Sequence, residues 1–177
     1  MKVVVITGSP HTNGTSAFLA EKFIKGATDA GHEIYRFDAA DMDVHPCIAC
    51  EKCHGEDAVC VFKDDMQELN PHLLEADVVA LVSPIYYYDI NAQLKTVIDR
   101  FYANDAQLHN NKKTVLMVTM ADKTIESAGG ALNSFRSMAR FLGWQIAGTV
   151  VGADCWTLDM LRKTEFPEQA YKLGREL

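Results

Sequence analysis

Four strand-length runs do most to limit the fold of this chain: Val3–Ile6, Asp77–Val82, Thr114–Val118 and Gln145–Val151. Each is rich in branched apolar side chains, and helically spaced apolar residues separate one run from the next. A strand apolar along its whole length, rather than at alternate positions, is buried on both faces. Strands of that kind, each followed by a helix, pair in parallel through right-handed crossovers, with helices on either side of the sheet. A shorter alternating segment, Glu33–Phe37, adds another strand once Gly31 has closed the first helix. The pattern predicts an α/β three-layer sandwich around a five-stranded parallel sheet in the order 2-1-3-4-5. With 177 residues, 48% of them hydrophobic, residues 1–177 read as one domain with one core.

In that topology ligands bind beyond the carboxyl ends of the strands, where the strand order reverses. Loops 7–16, 83–91 and 119–124 should therefore converge on one ligand. The first joins a strand to a helix N-terminus, where unpaired N–H groups and the helix dipole favour an anion. Thr7, Ser9, Thr12, Asn13, Thr15 and Ser16 surround that end with small hydrogen-bonding side chains. Gly8 and Gly14 fit neither the dinucleotide fingerprint nor the Walker loop, and Thr15 stands where a Walker lysine would. Uncharged donors suit a terminal monophosphate, although a capped turn has the same composition. The third-strand loop, Ser83-Pro84-Ile85-Tyr86-Tyr87-Tyr88-Asp89, offers flat aromatic surface for a planar ring, or else three tyrosines closing a core.

Residues 38–63 lack periodicity and carry the spacing C-x2-C-x2-C-x6-C at Cys47, Cys50, Cys53 and Cys60. Four local thiolates are the usual complement of a [4Fe–4S] cluster. A metal-free loop, Zn²⁺ or a disulfide are the other readings, with His45 and His54 as spare ligands or solvated side chains. Cys155 and Trp144 read as core, Trp156 as a residue that could reach a ligand or a partner subunit. Asp38 reads as a turn residue, and Arg100 as a helix-end cation paired with a carboxylate. Asp64-Asp65 open a helix that Pro71 should interrupt. Further helices are expected over 91–102 and 127–142 and near the terminus, where Phe166, Tyr171 and Leu173 would dock. A net charge of −7 without a basic cluster argues against nucleic acid. No apolar stretch has the length of a membrane span or a signal segment, so a cytoplasmic setting is expected.

Taken together, Gly8-Ser9-Pro10-His11-Thr12-Asn13-Gly14-Thr15-Ser16, the cysteine segment with Asp64-Asp65-Met66, and Ser83-Pro84-Ile85-Tyr86-Tyr87 with Gln93-Leu94-Lys95 and Asp99-Arg100 resemble the flavodoxin-like NAD(P)H-dependent FMN reductases, including their iron–sulfur flavoprotein branch. The resemblance implies a flavodoxin-like fold and FMN held by Ser9, His11, Asn13, Gly14, Thr15, Ser16, Pro84, Ile85, Tyr86, Tyr87, Met120 and Ala121. It implies NAD(P)H as co-substrate and a quinone, flavin or other small molecule as acceptor. Because the flavin carries the chemistry, no catalytic side chain is needed. It also matches Cys47, Cys50, Cys53 and Cys60 to a compact [4Fe–4S] motif, and suggests a homodimer or homotetramer. An electron carrier that does not consume pyridine nucleotide, a cluster-bearing relay and a non-redox phosphate module are the alternatives.

Overall fold

The computed structural model describes residues 1–55 and 59–177. Part of the cysteine-bearing loop, expected over 45–63 within the aperiodic stretch, thus lies outside the described residues: residues 56–58. Strand β1 (Lys2–Thr7) leads through the small-residue loop into helix α1 (Thr15–Asp29), and β2 (Glu33–Asp38) follows. The chain continues through the cysteine segment to α2 (Met66–Glu75), β3 (Val78–Tyr86), β4 (Asp89–Ile90), α3 (Ala92–Asp99) and the short α4 (Asp105–Leu108). Then come β5 (Lys113–Thr119), α5 (Gly129–Leu142), β6 (Gln145–Gly152), α6 (Leu158–Arg162) and α7 (Phe166–Arg175).

The sheet order is β2-β1-β3-β5-β6, all neighbours parallel. This is the expected doubly wound arrangement with one addition. Strand β4, which the sequence pattern did not announce, pairs antiparallel with the end of β3 and shifts the numbering of the last two strands. Val3, Val4, Val5 and Ile6 are all buried because successive side chains of a central strand enter opposite helical layers. Val4 and Ile6 join the cluster that contains Leu69, Leu94 and Phe135, while Val3 and Val5 join the one built on Leu19, Phe23 and Leu161.

Three local expectations are corrected. Helix α2 runs through Pro71 instead of breaking there. Its Met66, Leu69 and Leu73 are fully buried, worth roughly 1.5–3 kcal/mol each, which outweighs the ~3 kcal/mol cost of an internal proline. The helix expected over 91–102 is α3 followed by a 3₁₀ segment, Arg100–Asn104, and the next begins with a 3₁₀ turn, Ile125–Ala128. Asp38 is a strand residue, not a turn: it is in register with Thr7, whose Oγ1 donates to Asp38 Oδ1 at 2.6 Å.

At the C-terminus α7 lies along α1, with Phe166 and Leu173 against the core and the Tyr171 hydroxyl donating to Asp29 at 2.9 Å. Trp144 is buried and donates its indole N–H to Leu108 O at 2.7 Å. Among the described residues no helix is long and apolar enough to cross a membrane.

Candidate functional site

Parallel registry puts the carboxyl ends of four strands on one edge of the sheet. Thr7 faces Val82, Pro84 faces Thr119, and Thr119 faces Gly152. The loops leaving these ends enclose a cavity of about 640 Å³. Residues 9–16 form one wall, Pro84, Ile85 and Tyr86 a second, Thr119, Met120 and Ala121 a third, and Cys155, Trp156 and Leu158 close the fourth. Eleven of the twelve residues proposed above for the cofactor line this one cavity. The twelfth, Tyr87, lines a shallower neighbouring depression of about 290 Å³ with Tyr88, Asp122 and Ser127. Thr12, read above as one of the small donors around the helix end, lines the larger cavity too, whereas Pro10, Thr119, Cys155 and Leu158 were not singled out as ligand contacts. Topology could have suggested Thr119, the last residue of a strand, whereas the wall from 155 to 158 depends on where the chain goes after β6.

Local bonds explain the shape of the first wall. Gly8 N–H donates to Val82 O at 2.8 Å, and Asn91 Nδ2 donates to Gly8 O. Asn91 is itself fixed by Ser83: its N–H donates to Ser83 Oγ, and the Ser83 hydroxyl lies 2.9 Å from Asn91 Oδ1. The side chain packs so closely that a Cβ on Gly8 would sit 2.1 Å from Asn91 Oδ1 and 2.7 Å from Leu94 Cβ. Only glycine lets the loop pass here. Asn91 thus ties the loops after β1 and β3 together, a role its position just before a helix did not reveal. Thr15 Oγ1 meets Thr119 Oγ1 at 2.8 Å and ties α1 to the end of β5.

These contacts divide the hydroxyls by role. Ser9 Oγ accepts from His11 N–H at 3.1 Å, so Ser9 and Thr15 build the loop. The side chains of Thr12, Asn13 and Ser16 make no hydrogen bond to the protein among the described residues. Gly14, the residue before α1, provides no side-chain cap, and the first turn carries no acid. The leading N–H groups of α1 therefore face the cavity wall with their partial positive charge uncompensated. Among the lining residues there is no Lys, Arg, Asp or Glu. An anion here would be held by neutral donors and the helix dipole, with His11 the one lining group able to add a full charge.

The second wall carries backbone strain. Tyr86 pairs with Asp89 and Ile85 with Ile90, leaving Tyr87 and Tyr88 as a two-residue turn with φ of 47° and 70°. A two-residue hairpin turn of type I′ has positive φ at both central positions, and a non-glycine residue there costs about 1–3 kcal/mol. Helix α5 helps to hold the tip: a Cβ on Gly130 would lie 2.5 Å from Tyr88 O. Tyr87 is 99% exposed and Trp156 76%, so aromatic surface rims the opening. Cys155 is buried, its thiol pushed up by burial and by Asp154, and donates to Ala153 O at 3.2 Å. It packs; it is not poised as a nucleophile.

A second, tighter cavity is lined by Cys47, Cys50, Cys53 and Cys60 with Val61, Phe62, Arg100 and Tyr102. Burial first, then the neighbouring thiols Cys60, Cys47 and Cys50, raise the Cys53 thiol above its ordinary value. Among the described residues no three His, Cys, Asp or Glu side chains come close enough to hold a single metal ion. The four thiols nevertheless line one cavity, walled on its other side by residues that follow α3. The segment is fastened to the residues after α3. Tyr102 hydroxyl donates to Glu51 at 2.8 Å, His54 Nε2 lies 3.0 Å from Tyr102 O, and Arg100 forms a buried pair with Asp64. Asp64 and Asp65 also bind back to the segment, accepting the N–H groups of His45 and Asp43 at 3.0 and 2.7 Å.

The profile of the NADPH-dependent FMN reductase family matches residues 1–157. The chain belongs to that family. Similar proteins of the family's relatives include an iron–sulfur flavoprotein of Methanocaldococcus jannaschii, 36% identical over 100 residues that make up 56% of this chain and 51% of the relative. In this relative, and in an iron–sulfur flavoprotein of Archaeoglobus fulgidus that is also 36% identical over 100 residues, the match spans about half of the relative's length. A second iron–sulfur flavoprotein of the same organism is 27% identical over 99% of this chain and 92% of its own. Among solved structures, an NAD(P)H:quinone oxidoreductase from Methanothermobacter marburgensis superposes with a TM-score of 0.73 at 20% identity, covering 98% of this chain and 95% of that one. The fold is flavodoxin-like, and FMN and NAD(P)H are the cofactor and co-substrate of the family.

Proposed function

We propose that this chain is an FMN-dependent NAD(P)H oxidoreductase that delivers electrons to a small-molecule acceptor such as a quinone or flavin. The observation that carries the reading is the uncapped, acid-free N-terminus of α1 opening into a 640 Å³ cavity whose far walls are apolar and aromatic. That donor set fits FMN: a dianionic phosphate at one end, a large planar ring at the other. Thr12, Asn13, Ser16 and the first N–H groups of α1 would hold the phosphate, with Ser9, Gly14 and Thr15 shaping the loop and His11 at its edge. Pro84, Ile85, Tyr86, Met120 and Ala121 would hold the ring, and Tyr87 would act from the hairpin tip. When bound, FMN supplies the hydride and electron chemistry. The chain binds, orients and excludes water. Nicotinamide and acceptor would use the same opening in turn, past Tyr86 and Trp156, which gives ping-pong kinetics. We place this activity in a cytoplasmic homodimer or homotetramer.

The test is direct. Purified protein loaded with FMN should oxidise NADH or NADPH with a quinone and give parallel double-reciprocal lines. Reduction by a ferredoxin but not by either pyridine nucleotide would make it a carrier and refute the enzyme reading.

A second reading rests on the four thiols that line one cavity. Cys47, Cys50, Cys53 and Cys60 fit a [4Fe–4S] cluster in donor type and number, which would add a one-electron centre to the flavin. Iron and sulfide content after anaerobic purification tests it.

A further inference from the structure

Among the described residues that line the cysteine cavity there is one Lys or Arg, Arg100, and both of its terminal nitrogens are fully hydrogen-bonded. The residue is 3% exposed. Nη1 donates to Asp64 Oδ2 at 2.6 Å and to His45 O at 2.8 Å. Nη2 donates to Asp64 Oδ1 at 3.1 Å and to Cys60 Sγ at 3.3 Å. All four terminal N–H bonds are thereby committed. The ring of Phe62 covers the guanidinium face at 5.2 Å, and Nε is buried without a partner.

A buried ion pair is weak evidence for stability, since an apolar replacement is often as good. Here the bidentate carboxylate consumes one N–H from each terminal nitrogen and fixes the plane of the fork. The remaining Nη2 N–H then points at sulfur, and the remaining Nη1 N–H holds the main chain two residues before Cys47. Lysine could keep the ion pair but has no rigid fork with which to reach carboxylate, carbonyl and sulfur together.

We infer that Arg100, oriented by Asp64, is a positioning residue whose N–H···S bond to Cys60 sets the reduction potential of a cluster held by the four thiols. This deepens the second reading above and rests on it. Hydrogen bonds to ligand sulfur and nearby positive charge both withdraw electron density from a cluster, which raises its potential.

The experiment compares wild type, Arg100→Lys, Arg100→Gln and Tyr102→Phe after anaerobic reconstitution with iron and sulfide. Each is read by iron content, visible absorption and a redox titration followed by electron paramagnetic resonance, with circular dichroism as the check on folding. Arg100→Lys should load as wild type does and titrate at lower potential, and Arg100→Gln should titrate lower still. Tyr102→Phe, which frees Glu51 of the loop from the Tyr102 hydroxyl without touching sulfur, should keep the wild-type potential. If the folded Arg100 variants take up no iron while Tyr102→Phe loads normally, Arg100 acts in assembly through its bonds to Asp64 and His45 and not in tuning, which overturns the inference. Equal loss in all three variants would reduce Arg100 to a loop anchor and overturn it. Loaded Arg100 variants with an unmoved potential would also overturn it, leaving the cluster reading intact. A wild-type chain that takes up no iron defeats the cluster reading and the inference with it.

Discussion

Replacing Asn13 by aspartate places one negative charge beside the uncapped start of α1, and its two consequences have opposite signs. In the cofactor-free protein a carboxylate near a helix N-terminus is favourable by about 0.3–1 kcal/mol, and no acid occupies the first turn of α1 to compete with it. With a phosphate dianion at the same place, the charges repel. At a separation of about 6 Å the Coulomb cost is roughly 1.4 kcal/mol at the dielectric constant of water and about 2.8 kcal/mol at half that value. The lining contains no lysine or arginine to offset it, so FMN should bind about 10- to 100-fold more weakly. Fluorescence quenching on titration with FMN gives Kd, and thermal unfolding without FMN gives the stability of the empty form. Asn13→Asp should therefore raise or preserve the melting temperature while loosening FMN, and salt should narrow the gap in Kd. Asn13→Lys should do the reverse on both counts. A Kd within twofold of wild type in Asn13→Asp would refute the assignment of the phosphate to this helix end.

Three further outcomes follow from the same geometry. Gly8→Ala forces a methyl group to within 2.1 Å of Asn91 Oδ1, so the loop must leave α3; a loss of about 1–3 kcal/mol in urea unfolding is expected together with weaker FMN retention, and wild-type values for both would dispose of the Asn91 tie. Burial pushes the Asp64 carboxyl up, but the Arg100 guanidinium and the N–H groups of His45 and Met66 bring it below the usual carboxylate range. A folded pKa below the unfolded one contributes stability above about pH 4 that is lost as pH falls through the folded value, so the double variant Asp64→Leu/Arg100→Met should show a shallower acid transition than wild type. Tyr88→Gly should relieve the positive φ of 70° at little cost in packing, since Tyr88 is 64% exposed; roughly 1 kcal/mol of added stability by chemical denaturation is expected, and a destabilised variant would show that the turn is not strained.

What the sequence determined by itself was whatever depends on local pattern. Doubly buried runs such as Val3–Ile6 admit few pairings, and a strand–loop–helix rich in small donors has one obvious use for its helix end. Those features specify the parallel sheet, its crossovers and three walls of the cavity. The cysteine spacing showed that four thiols belong together, but not what faces them. Tertiary structure alone decided the fourth wall at Cys155–Leu158, the Asn91 clamp across Gly8, the β3–β4 hairpin and the pairing of Arg100 with Asp64 and Cys60. These join residues 36 to more than 100 positions apart, or set a turn in which Tyr87 and Tyr88 adopt a conformation their own side chains disfavour. The reason is physical: periodicity reports which face of an element is buried, whereas the identity of the neighbour across that face depends on how the separate elements pack, and no local signal carries it.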